Sequence, residues 1–178
     1  MMRLAKLADY GLVIAATLSR AETARAAEEP TSGSSSVGRL TELVKLEWVA
    51  EQTSLTIATT RKIMKLLVDG GIVVSERGMR GGYRLAAPAE QISLADVLSA
   101  VEGEVALTDC CSDSRQCDVI SNCNVQRNWS VINGTVTSLF SAISLKDMSG
   151  QLTREDVVAR VQNNQAAPGR IAMVQLAR

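Results

Sequence analysis

The sequence predicts a mainly α-helical chain with one small two-stranded β hairpin and a long helix in its C-terminal half. Apolar residues recur at three- and four-residue spacing along most of the chain, which indicates helices. A glycine-rich turn between two short apolar runs, near residues 72–87, indicates the hairpin. Of the 178 residues, 46% are apolar but only 3% are aromatic. The core is therefore expected to consist mostly of Val, Leu, Ile and Ala.

The first helix is expected at Leu4–Ser19, because its apolar residues recur on one helical face. The segment that follows, Ala21–Gly38, is rich in Ser, Gly and Glu and predicts a flexible loop.

The basic residues before the N-terminal apolar stretch resemble the start of a secretion signal, but Asp9 and the helical spacing argue against one. No apolar run reaches the roughly 18 residues that a membrane span needs. We therefore expect a cytoplasmic protein without a membrane partner.

Two further helices follow this segment. A short helix is expected at Leu46–Gln52, and after a turn a longer one at Thr56–Asp69. The longer helix should end at Gly70 and Gly71, because glycine adopts the left-handed conformation at little cost. Its inner, core-facing residues are expected to be Ile57, Ile63, Leu66 and Leu67.

A β hairpin should come next. Two strands are expected at Ile72–Glu76 and Tyr83–Ala87, on either side of the turn "RGMRGG". Helix, turn, helix and hairpin is the order of a winged helix-turn-helix, in which the second helix enters the DNA major groove and the wing contacts the backbone or minor groove. Pro88 closes this unit, so a DNA-binding domain is predicted at residues 1–88, with a loop insertion at 21–38.

The charge distribution also favours double-stranded DNA as a partner. Basic and acidic residues balance over the whole chain, but residues 56–88 hold six basic and two acidic side chains, and residues 89–128 hold two basic and seven acidic ones. Arg can read guanine and Lys can neutralise phosphate. The alternative is that these are ordinary solvated charges. The predicted contacts are those on the exposed face of the second helix and on the wing: Thr59, Thr60, Arg61, Lys62, Lys65, Arg77, Arg80 and Arg84.

Residues 89–148 are predicted to hold a linker helix, a cysteine-containing loop and a dimerisation helix. The linker helix "SLADVLSAVEG" begins at Ser93, and Asp96 stands at the spacing of a capping box. In the long helix, a stripe at alternating steps of four and three residues needs a partner, either a second copy or the body of the domain. Its members are Val125, Trp129, Ile132, Val136, Leu139 and Ile143. The C-terminal tail, residues 149–178, contains one more helical pattern, "LTREDVVARV".

All four cysteines lie within fourteen residues, at Cys110–Cys123, in a chain that has no histidine. Cys111, Cys117 and Cys123 are separated by five residues each. A secreted disulfide framework would spread its cysteines along the chain to close longer loops. Thiolates gathered in a loop bind zinc or iron–sulfur clusters, and structural zinc sites prefer closer pairs. Unliganded thiols or a redox pair are the alternatives.

Catalysis by a cysteine is not expected. A nucleophilic cysteine is usually activated by a histidine, and the chain contains none. We therefore predict that the protein is not an enzyme and has no small-molecule substrate.

Several stretches together resemble the Rrf family of bacterial winged-helix regulators, the IscR/NsrR type, and within it regulators of SUF-type iron–sulfur assembly. The matching stretches are "MRLAKLADYGL", "LLVDGGIVVSERGMRGGYRLAAP", "ISLADVLSAVEG", the three evenly spaced cysteines and "NWSVIN". The resemblance covers about residues 2–20 and 40–148. The loop at 21–38 is longer than the family usually carries, and the chain after Gly150 is unmatched.

The resemblance implies a homodimer whose long helices cross, and an iron–sulfur cluster, [2Fe–2S] or [4Fe–4S], on Cys111, Cys117 and Cys123. DNA affinity or sequence choice would change with the state of the cluster. Arg77 would enter the minor groove, and the face at 59–62 would read bases. Where IscR-type members carry a histidine as fourth ligand, this chain has Gln126. Asp9, which matches an NsrR-type ligand from the other subunit, and Cys110 are therefore preferred as fourth ligands.

The function that follows is an iron–sulfur-sensing transcriptional regulator, expected to be a repressor of iron–sulfur assembly genes. The alternative is a zinc- or thiol-based redox-responsive protein without a cluster, including a nitric-oxide-sensing repressor.

Overall fold

The computed structural model describes residues 5–28, 43–112 and 117–165. It confirms a mainly helical fold with one two-stranded antiparallel sheet. The elements are α1 (Lys6–Glu28), α2 (Leu46–Thr53), α3 (Ile57–Asp69), β1 (Val73–Glu76), β2 (Gly82–Leu85), α4 (Leu94–Glu102), α5 (Gln126–Ala142), α6 (Leu145–Ser149) and α7 (Arg154–Gln165). Two short 3₁₀ turns, Asp109–Cys111 and Ile120–Asn122, lie between α4 and α5.

Helix α1 is longer than predicted, because it continues to Glu28. The prediction of a loop beginning at Ala21 is therefore wrong for residues 21–28, and the rest of that predicted loop lies outside the described residues. Ala and Glu are good helix formers, which favours continuation. Tertiary contacts add to this: Ala21 is buried, and the backbone N–H of Leu85 in β2 donates to Glu22 Oε1 over 3.2 Å.

Helices α1, α2 and α3 pack around one core with the wing. From α3, the core contains Thr60, Ile63, Met64 and Leu67, which follow the spacing of one helical face. The prediction that Ile57 faces the core is wrong, because its side chain is 39% exposed. Ile57 is the first residue of α3, and it lies outside the core, which the later turns of the helix contact.

The predicted end of α3 is confirmed. Gly70 caps the helix, and Gly71 has φ 73°, in the left-handed region that glycine tolerates best. The N–H of Ile72 then bonds to the carbonyl of Leu67 over 2.9 Å, which satisfies a carbonyl of the last turn. The chain leaves α3 directly into the wing.

The wing is an antiparallel hairpin in which Val73 pairs with Leu85 and Glu76 with Gly82. The residues before α2 join its outer side: Val44 N–H donates to the carbonyl of Tyr83 over 2.8 Å, and Tyr83 N–H donates to that of Val44 over 2.9 Å. A Cβ on Gly82 would lie 2.6 Å from the Val44 carbonyl oxygen, so this approach requires glycine. The wing is thus fixed to the start of the helix-turn-helix.

The capping box predicted at the start of α4 is confirmed. Ser93 accepts the N–H of Asp96, and the Asp96 carboxylate accepts the N–H of Ser93. The same arrangement occurs at Ser144 and Asp147, where it starts the short helix α6 that the sequence reading missed. Helix α4 contributes Val97 to the core around α1, so that core continues beyond residue 88. The division of the chain at that residue stays a prediction.

A second, smaller core forms where the end of α5 meets α4 and α7. It contains Ala8, Leu94, Leu98 and Ile143, with Leu139, Leu152 and Val157 packed against it. Helix α7 confirms the helical pattern predicted near the C-terminus. None of the helices in the described part of the chain has both the length and the apolar character that crossing a membrane requires.

Candidate DNA-binding surface and cysteine segment

The N-terminal half of α3 presents polar side chains to solvent. Thr56 caps the helix by accepting the N–H of Thr59 over 3.2 Å, and the two hydroxyls lie 2.9 Å apart. Thr59 is half-buried, whereas Arg61 and Lys62 are exposed in the next turn. The partial positive charge of a helix N-terminus favours nearby phosphate, so this end of α3 suits a nucleic-acid backbone.

One predicted contact is wrong. Thr60 is fully buried, and its hydroxyl donates to the carbonyl of Thr56 over 3.0 Å. Because that bond satisfies the hydroxyl inside the core, Thr60 can take an inner position on α3. It cannot contact DNA from there.

Lys65 lies further along the same helix and pairs with Asp69, with 2.6 Å between Nζ and Oδ2. Both side chains are largely exposed, so the pair stabilises the helix only weakly. A neighbouring carboxylate also makes this end of α3 less attractive to phosphate. The assignment of Lys65 to the DNA surface stays a prediction.

The tip of the wing is exposed to solvent. Arg77 and Arg80 are both exposed, Met79 is 98% exposed, and Gly78 has the positive φ that the predicted turn requires. Arg84 differs, because its side chain is 22% exposed and its Nε lies 3.7 Å from Glu76 Oε1. Arg84 therefore belongs to the stem of the wing, while the two tip arginines project into solvent.

The sequence reading missed Lys45. Its ammonium group reaches across to the wing tip and donates to the carbonyls of Met79, over 3.0 Å, and of Gly81, over 2.5 Å. These contacts join residues that are 34 and 36 positions apart in the chain. Helical and strand periodicity report only on neighbouring residues, so no local pattern signals such a contact.

The four cysteines are free and half-buried. Cys110 and Cys111 belong to the first 3₁₀ turn, and Cys123 follows the second. The hydroxyl of Thr108 donates to Cys111 Sγ over 3.3 Å and lies 3.2 Å from Cys110 Sγ, within hydrogen-bonding distance for sulfur. Thr108 therefore contacts both sulfurs of the vicinal pair.

The first 3₁₀ turn is anchored on α5. Asn133 Oδ1, in the middle of that helix, accepts the N–H of Leu107 over 2.9 Å. Because Leu107 directly precedes Thr108, this bond fixes the segment that carries Cys110 and Cys111. Neither Asn133 nor Thr108 was singled out from the sequence.

The cysteine sulfurs have the chemistry of an iron–sulfur site, since clusters are held mainly by thiolates. Their arrangement within one chain, however, does not form a complete ligand set. Across the three described ranges, no three Cys, Asp or Glu side chains come together as ligands for one metal ion. Cys111 and Cys117 flank residues 113–116, which lie outside the described residues. Cys111, Cys117 and Cys123 would have to draw together to hold a cluster.

The candidate fourth ligands lie on three different elements. Asp9 is exposed in the first turn of α1, Cys110 is adjacent to Cys111, and Gln126 is the half-buried first residue of α5. Asp9 is thus available to another molecule, as a ligand from a second subunit must be.

The apolar stripe on α5 divides into two parts. Val125, Trp129 and Ile132 are 45%, 38% and 46% exposed, and Val131 on the adjoining face is 64% exposed. Val136 and Leu139 are half-buried. The prediction that Ile143 belongs to the dimerisation stripe is wrong. It follows the last residue of α5, is 6% exposed, and belongs to the smaller core of its own chain. Among the residues that the structure describes, the part of α5 left without a covering element is therefore its N-terminal half.

These features define a winged-helix DNA-binding protein with a cysteine segment between its linker helix and its long helix. Residues 36–151 match the Rrf2 family, described as "Iron-dependent Transcriptional regulator". The chain belongs to this family. It is a helix-turn-helix transcriptional regulator that binds DNA, and it is not an enzyme.

Individual relatives agree with the family assignment. The chain is 28% identical to the HTH-type transcriptional regulator IscR of Photorhabdus laumondii over 121 residues, which cover 68% of this chain and 73% of that protein. In fold it resembles CymR, the global cysteine regulator of B. subtilis (TM-score 0.58, 21% identity, 84% and 97% of the two chains covered). It also resembles IscR of T. potens (TM-score 0.56, 19% identity, 94% of each chain covered).

Proposed function

We propose that the protein is a cytoplasmic, homodimeric repressor that senses iron–sulfur supply and controls SUF-type cluster assembly genes. The cluster would be held by Cys111, Cys117 and Cys123. The likeness to IscR and the three thiols in one short segment support this proposal.

The single observation that carries the proposal is the attachment of the cysteine segment to α5. The segment begins after α4, which packs in the winged-helix core, and Leu107, just before the first 3₁₀ turn, donates its N–H to Asn133 of α5. The chain after α5 returns to the start of α4 beside the Ser93–Ser144 bridge, where Leu94 N–H donates to the carbonyl of Ile143 and Leu145 N–H to that of Ile92. A change in the cysteine segment would therefore act on both the dimerisation helix and the DNA-binding core.

A cluster bound here would supply a centre that is sensitive to oxidants and to iron supply. The chain would hold it with three thiolates and a fourth group from Asp9, Cys110 or Gln126. A carboxylate or a thiolate is a better iron ligand than a neutral amide, which places Gln126 last. If Asp9 is the ligand, it comes from the partner subunit and ties α1 of one copy to the cysteine segment of the other.

DNA would be read by two surfaces. The exposed face of α3, with Thr59, Arg61 and Lys62, would enter the major groove, where Arg and Lys recognise guanine and phosphate. The tip arginines, Arg77 and Arg80, would contact the minor groove, where a narrow A·T-rich segment attracts arginine. Pairing of two copies through the exposed half of α5 would place two such surfaces on one operator.

Anaerobic isolation tests the cluster. We expect a coloured protein with iron and acid-labile sulfide, and loss of the visible absorbance in Cys117→Ala without loss of the dimer. Cys110→Ala and Asp9→Ala, analysed beside it by Mössbauer spectroscopy, identify the fourth ligand. A Cys117→Ala variant that keeps its absorbance would contradict the ligand assignment.

A thiol-based sensor is the second candidate. It is favoured by the free vicinal pair Cys110 and Cys111, and by the absence of three converging ligands from the described residues. In this case the anaerobic protein would be colourless, with or without zinc, and a thiol oxidant would change its DNA affinity. Alanine at both positions would remove that response.

A further inference from the structure

We propose that Lys45 is a positioning residue for DNA binding, which fixes the wing tip relative to the recognition helix. This goes beyond the sensing function, since it concerns how the DNA-binding module presents Arg77 and Arg80 whatever signal controls it. Its ammonium group donates to two carbonyls of the wing turn, those of Met79 and Gly81.

Within the described ranges, few other contacts hold the wing tip. Within the turn, Gly81 N–H donates to the carbonyl of Gly78 over 3.0 Å, while the Met79 side chain is 98% exposed. An ammonium group has three donors and can bond two carbonyls at once. Because Lys45 bonds carbonyls on both sides of Arg80, the backbone that carries this arginine is fixed at two points.

The position of Lys45 in the chain couples the tip to the helix-turn-helix. It is the residue that directly precedes α2, and its neighbour Val44 is paired with Tyr83 in β2. Residues before a helix are commonly Ser, Thr, Asp or Asn, whose side chains cap it. Lys45 makes no such bond and its side chain contacts the wing instead. One residue thus joins the start of the helix-turn-helix to the end of the wing.

Order in the free protein reduces the conformational entropy that is lost on binding. If the turn is already fixed, Arg77 and Arg80 enter the DNA from a defined position relative to Arg61 and Lys62 of α3. Without the Lys45 bonds, both arginines would still be present, but the turn that carries them would be mobile in the free protein. Binding would then cost more conformational entropy, so affinity would fall although no DNA contact is removed.

A direct phosphate contact by Lys45 is the alternative, and salt dependence separates the two. Each phosphate contact contributes about 0.9 to the slope of log affinity against log salt. A residue that only positions the wing leaves this slope unchanged. Hydrogen exchange in the free protein adds a readout without DNA, because looser packing of residues 77–82 would accelerate exchange there.

The experiment compares Lys45→Met, which removes the donors, with Lys45→Arg, which keeps charge and donors. The probe is a duplex of about 30 base pairs, long enough for a dimer, selected by the wild-type protein from a random pool. For Lys45→Met we expect roughly tenfold weaker binding, from the loss of one exposed and one partly buried charge-assisted hydrogen bond, with an unchanged salt slope and faster exchange at 77–82. Lys45→Arg should restore most of the affinity.

Arg77→Ala is the comparison variant, since it should flatten the salt slope without altering exchange in the turn. The proposal is overturned if Lys45→Met lowers the slope by one phosphate contact, or if exchange at 77–82 does not change. Unchanged affinity of Lys45→Met would also overturn it. The Gly81 amide reports on the turn directly, because its N–H bonds to Gly78.

Discussion

Ser93 and Ser144 face each other in an antiparallel bridge, and each caps the helix that follows it. Leu94 N–H donates to the carbonyl of Ile143 over 2.8 Å, and Leu145 N–H donates to that of Ile92 over 2.7 Å. Both serines stand in the sequence Ile-Ser-Leu-X-Asp. The joint connects the end of α5 with the start of α4, and so provides the path between the cysteine segment and the winged-helix core.

Replacing Ser144 should weaken this joint. Ser144→Ala removes the hydroxyl that accepts the Asp147 N–H, and we expect the free energy of unfolding to fall by about 1 kcal/mol. Urea denaturation measures this change. Ser130→Ala is the control, because that exposed hydroxyl bonds a carbonyl of its own helix, that of Gln126, and its loss should change stability little. Equal stability of the two variants would show that the Ser144 cap does not stabilise the fold.

Arg77→Ala should weaken binding to the selected duplex and lower the salt slope by up to roughly 0.9, because its guanidinium in the minor groove would neutralise the charge of a flanking phosphate. Titrations at several salt concentrations measure both quantities. Arg154→Ala is the matched control, because Arg154 begins α7, outside the winged helix, and should leave both unchanged. A normal slope in Arg77→Ala would remove this residue from the DNA surface.

Thr108→Val keeps the shape of the side chain but removes the hydroxyl beside Cys110 and Cys111. Hydrogen bonds to cluster sulfurs stabilise the reduced state, so we expect a lower midpoint potential in the cluster-loaded variant. Spectroelectrochemistry measures it. Thr135→Val is the control, since that hydroxyl bonds the Val131 carbonyl within α5. A potential equal to that of the wild type would mean that Thr108 does not act on the cluster.

The start of α7 should depend on pH. The side-chain and backbone hydrogen bonds from Thr153 lower the pKa of the Asp156 carboxyl below its ordinary value of 3.8. A lowered pKa means that the cap stabilises α7 fully above that ordinary value and is lost as pH falls through the lower, folded-state value. Helical carbon chemical shifts of residues 154–160 should therefore decrease below about pH 4.

Asp156→Asn is the control for that titration, because its side chain has no charge to lose. Its shifts at 154–160 should vary little with pH, and those of α3 should stay constant in both proteins over the range. The same acid-induced change in Asp156→Asn would assign it to another group.

Local patterns predicted much of the fold. The end of α3 at Gly70 and Gly71, the hairpin turn and the cap at Ser93 depend on residues within a few positions of one another, and all three are confirmed. The same capping pattern at Ser144 could have predicted α6, since Asp147 stands three residues later.

The predictions were wrong where tertiary contacts determine the burial of a residue or the length of a helix. Thr60 is buried and Ile57 exposed because the position of the core, rather than hydropathy, determines which turn of α3 is covered. Helix α1 continues past Ala21 because β2 contacts Glu22. Ile143 fits the heptad spacing, yet the helix ends before it and the residue enters its own core. The contact of Glu22 with β2 and the packing of Ile143 in its core have no local sequence signal, whereas Thr60 shares its helical spacing with Ile63, Met64 and Leu67.

The cysteine segment is the part of the site that the sequence predicted most directly, through the spacing of Cys111, Cys117 and Cys123. Its attachment could not be predicted in this way, because the bond between Asn133 and Leu107 joins residues 26 positions apart. The contact of Lys45 with the wing escaped prediction for the same reason.

The most direct test of the account is the affinity of one preparation for its selected duplex, measured without oxygen before and after removal of the cluster. We predict that the cluster-loaded dimer and the cluster-free dimer differ by at least about tenfold, or 1.4 kcal/mol in binding free energy. Cys117→Ala should match the cluster-free protein. Equal affinities of the loaded and cluster-free dimers would contradict the account.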